Sequence, residues 1–476
     1  MARYLPNPVN NLMADAMHGR ISRRDIMKKG TALGLSSALM GTILRAESVG
    51  AQGTPAAAMP AGYSIEVPAG LPDLTGTTLN VMLGADGPGA AFDQANCDIF
   101  AEATGATVNY LKGAESATDR LTFYQQTFAS SSNAFDFAMI DVIWPGILAT
   151  HAVDLSEAVA NSGVTYFDRI MQNNTVDDVL TGIPWFTDAG LLYYRTDLLE
   201  KYGFAAAPAT WQELTDMATE IVAGEAASNS SFTGFTFQGA AYEGLVCNGL
   251  EWQFSNGGGT IIEDDGSVSV NNPNTIAAFE RAKGWVGTIS PQAVTGYMEE
   301  DGRGVWQAGN AAFMRNWPYA YSLGAAADSV IAGNFDVTSL PMGDMEGSSN
   351  AATLGGWQAF VSKYSESQEA ATAFALFVAS PEVQKARAIE RSGLPTIADL
   401  YTDADVLAAN PFFERLLDTF QSGSVARPST ASQDLYGEVA TEYARTLNEI
   451  LNGTASEVGA AVEDLAGSLE DIMADL

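Results

Sequence analysis

From Thr77 onward the chain alternates between two hydrophobic patterns. Short apolar runs read as strands, and apolar residues recurring every three to four positions read as helices. Thr78-Leu79-Asn80-Val81-Met82-Leu83 is the first predicted strand, followed by the loop Gly84-Ala85-Asp86-Gly87-Pro88-Gly89. Phe92, Ile99 and Phe100 mark the apolar face of a helix that must stop before Gly105. Val108 and Tyr110 predict a second strand, residues 119–129 a helix with Leu121, Tyr124 and Phe128 on its faces, and residues 135–141 a buried strand ending in a carboxylate. Strands alternating with helices predict an α/β fold with a mainly parallel sheet, whose ligands lie beyond the carboxyl ends of the strands. That rule points to the loops at Asp86 and Asp141. The first of these lacks both the G-x-G-x-x-G spacing of a dinucleotide site and the lysine of a phosphate loop, so it reads as turn chemistry.

The alternation continues. Gly182-Ile183-Pro184-Trp185-Phe186-Thr187-Asp188-Ala189-Gly190 is an extended approach to the buried strand Leu191-Leu192-Tyr193-Tyr194-Arg195. Helices are predicted over 198–202 and 211–223, the latter opened by Thr210 with Glu213 three residues on, the spacing of a capping box. A strand over 233–237, a helix over 242–254 and an Asp264-Asp265-Gly266 turn precede an amphipathic helix over 274–286, whose Ile276, Phe279, Ala282 and Trp285 read as core. A short helix near 305–308 and a turn then lead to Ala311-Ala312-Phe313-Met314-Arg315-Asn316-Trp317-Pro318-Tyr319. Pro318 must end the strand there, which leaves Trp317 and Tyr319 at its mouth, where amphipathic rings can be held over a cleft. Residues 337–340 form another strand, 348–353 a polar loop, and Leu354-Gly355-Gly356-Trp357 opens a strand over 358–362. Helices fill 367–379, 381–391, 411–420 and 435–476, the last broken by Gly453.

At 476 residues the chain is too long for one ordinary core, so two lobes are expected. It carries 57 acidic and 23 basic residues, a net charge of −34. This argues against a nucleic-acid partner, whose phosphates would be repelled, and fits a solvated surface in salty surroundings. Two histidines, His18 and His151, and two distant cysteines, Cys97 and Cys247, leave little for a metal site or His-based catalysis. No cofactor is expected. The sequence leaves open whether the cysteines pair. Residues 1–51 are built differently. Ser22-Arg23-Arg24-Asp25-Ile26-Met27-Lys28, an uncharged run over 30–44 and small residues up to Val49-Gly50-Ala51 have the order of an export signal. The arginine pair resembles a twin-arginine signal, which exports folded protein. No cysteine lies near the cleavage region, so an exported, periplasmic protein without a lipid anchor there is expected. Without residues 1–51 the chain has 54 acidic and 16 basic residues and is still more acidic. Residues 52–76, rich in Ala, Pro and Gly, read as a flexible leader.

The segments 182–195, Tyr242-Glu243-Gly244-Leu245-Val246-Cys247, 309–321, Leu354-Gly355-Gly356-Trp357 and Arg427-Pro428 recur in the order found in one family. The chain resembles extracellular solute-binding proteins of the type-1 carbohydrate class, and most of all the trehalose/maltose-binding proteins of ATP-driven importers. The resemblance spans nearly all of the chain after the leader. It implies a periplasmic-binding-protein fold of two α/β lobes, 77–184 with 342–380 and 185–341 with 381–476, joined by a hinge of crossover segments and closing on a sugar in the cleft between them. The crossings would fall near Pro184, Pro341 and Pro381. It further implies a monomer that delivers its ligand to membrane permease subunits.

A sugar offers apolar C–H faces and a rim of hydroxyls, so its site needs aromatic platforms and paired acceptors and donors. The positions matching the family motifs supply Phe186, Trp317, Tyr319 and Trp357 as platforms and Asp141 and Asp188 as hydroxyl acceptors. Arg120 and Arg427 would donate and hold those carboxylates ionised, while Gly355 and Gly356 would let backbone approach the ligand. Plainer readings stand beside these: Arg120 as an exposed helix charge, Asp141 as the cap of a helix near Trp144. Arg315 and Asn316 are expected to support the loop. The family's acidic ligand in the first loop aligns near Gly89, with Asp86 or Asp93 as substitutes. An α-linked disaccharide such as trehalose, maltose or sucrose is the expected ligand. A compatible solute, a polyol or glucosylated polyol is the alternative, and a glycoside hydrolase with Asp141 and Asp188 opposed is a weaker one.

Overall fold

The computed structural model describes residues 63–476 except 86–87, 418 and 420–422. The export signal, the first part of the leader and Asp86 lie outside the described residues. The chain divides into two compact units. One comprises the residues up to Trp185 with Trp357–Ala386, the other Phe186–Gly356 with Arg387–Leu476.

In the first unit β1 (Thr78–Leu83) runs parallel to β2 (Thr107–Lys112) on one side and β3 (Phe137–Asp141) on the other. All five residues of β3 are buried, as expected of a strand covered on both faces. Helix α1 (Pro88–Thr104) brings Phe100 edge-on to Phe374, at 5.1 Å, and Phe137 meets Phe374 from the sheet at 4.9 Å. Helix α2 (Ala117–Ala129) starts at Ser116, whose hydroxyl accepts from the Asp119 N–H at 3.2 Å. Its Tyr124 and Phe128 pack with Phe135 on the opposite face.

The second unit holds a four-stranded sheet that departs from the expected parallel pattern. Its central strand β5 (Leu191–Arg195) follows β4 (Ile183–Ala189) after one residue. β5 is antiparallel to both neighbours, β7 (Ala311–Asn316) and β8 (Phe335–Ser339), and only β6 (Thr233–Thr236) and β7 run parallel. Helices α3 (Trp211–Glu225), α4 (Glu243–Ser255) and α5 (Pro273–Trp285) bring Trp211, Trp252 and Trp285 together with Phe235 and Phe237. Trp285 is therefore core, as its helical spacing implies. Thr210 caps α3 by accepting from Glu213 N–H at 3.1 Å, but the Glu213 carboxylate reaches back to Ala209 instead of Thr210. Helix α6 (Glu299–Gln307) leads into β7. At the end of the chain Gly453, at φ 82°, closes a helix over Tyr436–Asn452 in the left-handed conformation before a second helix over Val458–Met473. Within the helix expected over 411–420, Phe412–Arg415 forms a short helix.

Strand β9 (Ala352–Val361) begins six residues before the predicted strand and carries Gly355 and Gly356 inside it. Its second half pairs antiparallel with β3, Trp357 opposite Asp141, and its first two residues pair with Ser424–Val425. This explains where the middle crossing falls. It lies at Gly356–Trp357 and not near Pro341, because residues 342–356 are tied into the second unit. Met342 exchanges backbone bonds with Ala209 and Trp211, and Gly343 N–H donates to Ser255. The first and third divisions fall at Trp185–Phe186, one residue past Pro184, and at Ala386–Arg387, within the helix that Pro381 opens.

Candidate functional site

Most of the residues expected to touch a ligand gather into one cluster in each unit. In the first, Asp141 ends β3 and is 6% exposed. One carboxylate oxygen accepts the Ile143 N–H at 3.2 Å, an Asx turn. The short helix that follows is Pro145–Leu148, with Trp144 and not Asp141 at its start, so Asp141 is not a helix cap. Directly across the ladder stands Trp357. Arg120, from α2, lies with its guanidinium 4.8 Å from the Trp357 ring centre. It is 4% exposed, which excludes the exposed-charge reading. Its Nε and Nη2 both donate to the Ala114 carbonyl, at 3.1 and 2.7 Å, and its buried Nη1 has no hydrogen-bond partner among the described residues. Gly113 makes this placement possible, since a Cβ there would come within 2.9 Å of Arg120 Nε and 2.6 Å of the Leu83 carbonyl. Trp144 stands perpendicular to Trp357 at 5.7 Å, and its buried indole N–H also has no partner among the described residues.

In the second unit Trp317, half-buried, follows β7. Its ring lies 3.9 Å from the guanidinium carbon of Arg315, and its indole N–H donates to Glu299 at 3.3 Å. The Tyr193 hydroxyl donates to the Trp317 carbonyl at 2.7 Å. Gly355 is where the Trp317 ring and the Asp188 side chain come together. A Cβ at Gly355 would lie 3.0 Å from both the Trp317 ring and Asp188 Cβ. Gly356 has φ 122°, and a Cβ there would come within 2.6 Å of the Phe186 carbonyl and 2.7 Å of Thr187 Cα. Only glycine lets β9 run this close to the Phe186–Asp188 segment. Phe186 stacks on Arg387 at 4.4 Å.

Arg315 and Asn316 support the loop. Arg315 is fully buried, bonded through Nε at 2.9 Å and Nη2 at 2.5 Å to the equally buried Glu251, and through Nη1 to Gln238 at 3.0 Å. Burial works against its charge, but Glu251 outweighs burial and holds the guanidinium pKa above its ordinary value. The Asn316 side chain accepts the Trp317 N–H at 2.8 Å. Tyr319 is anchored by its hydroxyl, which donates to Glu300 at 2.6 Å, and burial followed by the Glu300 charge pushes its phenol pKa well up.

Arg427 is 3% exposed and pairs with Glu243 at 2.8 Å, a partner the sequence did not point to. Glu243 also accepts from the Tyr436 hydroxyl. A second Arg427 nitrogen donates to the Leu354 carbonyl at 3.3 Å, which steadies the chain entering Gly355. Sequence reading missed Glu243, Glu251, Glu299, Glu300 and Arg387. Their contacts with Arg427, Arg315, Trp317, Tyr319 and Phe186 form only through the tertiary fold, and neither the 242–247 motif around Glu243 nor the local Glu300–Arg303 pair points to those partners. Cys97 and Cys247 are free, buried thiols, one in each unit. Asp93 is 6% exposed within α1. Among the described residues no group of three or more His, Cys, Asp or Glu is placed to hold a metal ion.

These clusters sit on a fold with known relatives. A "Probable ABC transporter-binding protein" of Deinococcus radiodurans is 45% identical over 397 residues, covering 83% of this chain and 94% of that one. The maltose-bound MalE3 of T. maritima shares 35% of its sequence, with a TM-score of 0.78 over 83% of this chain and 99% of that one. A solute-binding protein of Agrobacterium radiobacter K84 in complex with ribitol shares the fold at 21% identity, with a TM-score of 0.74 over 84% and 99% of the two chains. The model of the bacterial extracellular solute-binding proteins matches residues 85–385, and the chain belongs to that family of binding proteins.

Proposed function

We propose that this protein is the substrate-binding component of an ATP-driven sugar importer, which binds an α-linked disaccharide such as maltose, trehalose or sucrose and delivers it to a membrane permease. The reading rests on one observation above the others. Trp317, Asp188 and Gly355 converge in the second unit, so a flat ring, the root of an acidic side chain and bare backbone lie side by side. That is the combination a sugar's C–H face and hydroxyls require. Its likeness to the maltose-bound MalE3, at 35% identity over nearly all of that chain, supports the ligand class. In the first unit Arg120, Asp141 and Trp357 supply a donor, an acceptor and a ring of the same kind.

The arginines separate neutral solutes from cationic ones. Trp317, Phe186 and Trp357 each have a guanidinium near the ring, from Arg315, Arg387 and Arg120. A ring that already serves one cation has less attraction left for another. This favours a neutral polyhydroxylated ligand over a quaternary-ammonium compatible solute. Calorimetric titration with maltose, trehalose, sucrose, ribitol and glycine betaine tests the proposal. Binding of an α-glucoside and none of betaine is expected. A polyol-only response would transfer the site to the polyol class, and no response to any α-glucoside would overturn the disaccharide assignment. Glucose release from these sugars during prolonged incubation would overturn the binding-only reading.

A further inference from the structure

Resting on the reading of Trp317 as a ligand platform, we propose that Glu299 is the residue that positions that platform. Trp317 would otherwise be free to turn, because its backbone sits past the end of β7 and Pro318 withdraws the next ladder donor. Among the described residues three contacts bear on the ring. Arg315 lies against it at 3.9 Å, the bare backbone of Gly355 lies against its six-membered edge, and Glu299 accepts its indole N–H at 3.3 Å. The first two permit sliding or rotation in the ring plane. Only the third is directional, because a hydrogen bond weakens steeply as it bends.

Glu299 is suited to that task. It is the first residue of α6, where the helix dipole favours a negative charge. Its second oxygen accepts from the Tyr242 hydroxyl at 2.6 Å, and its carbonyl accepts from the Asn316 side chain at 3.2 Å. The carboxylate is thus held from two sides before it meets the indole. Both of its side-chain donors are neutral, whereas its neighbour Glu300 is bonded to Arg303. In this account Glu299 sets where the ring points and touches no ligand.

The test compares E299A and E299Q with W317A in the full-length mature protein. The Trp317 indole N–H resonance, assigned from its loss in W317A, reports the hydrogen bond without any ligand. E299A is expected to shift that resonance toward the free-indole position and to weaken maltose binding about 5- to 30-fold, with a modest fall in melting temperature because the buried Tyr242 hydroxyl loses its acceptor. E299Q, which keeps an acceptor oxygen, is expected to restore most of both. An unmoved indole resonance in E299A overturns the inference, as does a shifted resonance with unchanged maltose affinity while W317A binds poorly. W317A binding maltose as well as the parent overturns the platform reading, and the inference with it.

Discussion

Replacing Arg315 by methionine should be among the costliest single changes in the second unit. The guanidinium is fully buried and gives Glu251 two hydrogen bonds, at 2.9 and 2.5 Å, and Gln238 a third at 3.0 Å. Glu251 is equally buried, and without Arg315 its carboxylate keeps, among the described residues, only the Thr353 N–H, at 3.1 Å. Neither water nor a second cation can reach it without opening the unit. Removing one partner of such a pair costs about 3–5 kcal/mol, because the remaining charge stays desolvated and uncompensated. For a unit of this size each kcal/mol lowers the melting temperature by roughly 2–4 °C, so a loss of about 6–20 °C is expected. Differential scanning calorimetry of R315M measures it directly. R315M/E251Q should be more stable than R315M, by about 1 kcal/mol or more, because a neutral amide no longer requires a counter-charge. An R315M melt within about 2 °C of the parent, or a double variant no better than R315M, would refute the account.

Three other outcomes follow from the same geometry. Asp188→Asn should weaken sugar binding about 10- to 150-fold in a calorimetric titration, the loss of one charge-assisted hydrogen bond of about 1.5–3 kcal/mol; an unchanged affinity would remove Asp188 from the site. Gly355→Ala places a methyl 3.0 Å from both Trp317 and Asp188 Cβ, so it should displace the ring and weaken binding at least several-fold with little change in melting temperature, as read by titration and tryptophan fluorescence. Cys97 and Cys247 are buried and free, and burial raises both thiol pKa values, that of Cys97 well above its ordinary range. A disulfide reagent at pH 8 should therefore label neither thiol in the native protein and both in guanidinium; rapid native labelling would contradict their burial.

Much of this protein is legible in its sequence because local chemistry decides it. The apolar runs at 78–83 and 137–141, the Pro318 stop after β7 and the Gly453 break between the last two helices follow from periodicity and from the φ preferences of proline and glycine. The motif order from residue 182 to Arg427 was enough to name a family, and the model matching residues 85–385 agrees with it. The sequence could not determine the direction of the second sheet, because an apolar run looks the same in a parallel as in an antiparallel partner. Nor could it place the middle crossing, since the bonds holding residues 342–356 in the second unit reach Ala209, Trp211 and Ser255, far away in the chain. Arg120, Arg315, Arg387 and Arg427 are alike in sequence, and only burial and folding assign Arg120 to Trp357, Arg315 to Glu251 and Trp317, Arg387 to Phe186, and Arg427 to Glu243. A charge's partner is fixed by which surfaces the fold brings within a few ångströms, and that information lies in the packing of distant segments, not in any one of them.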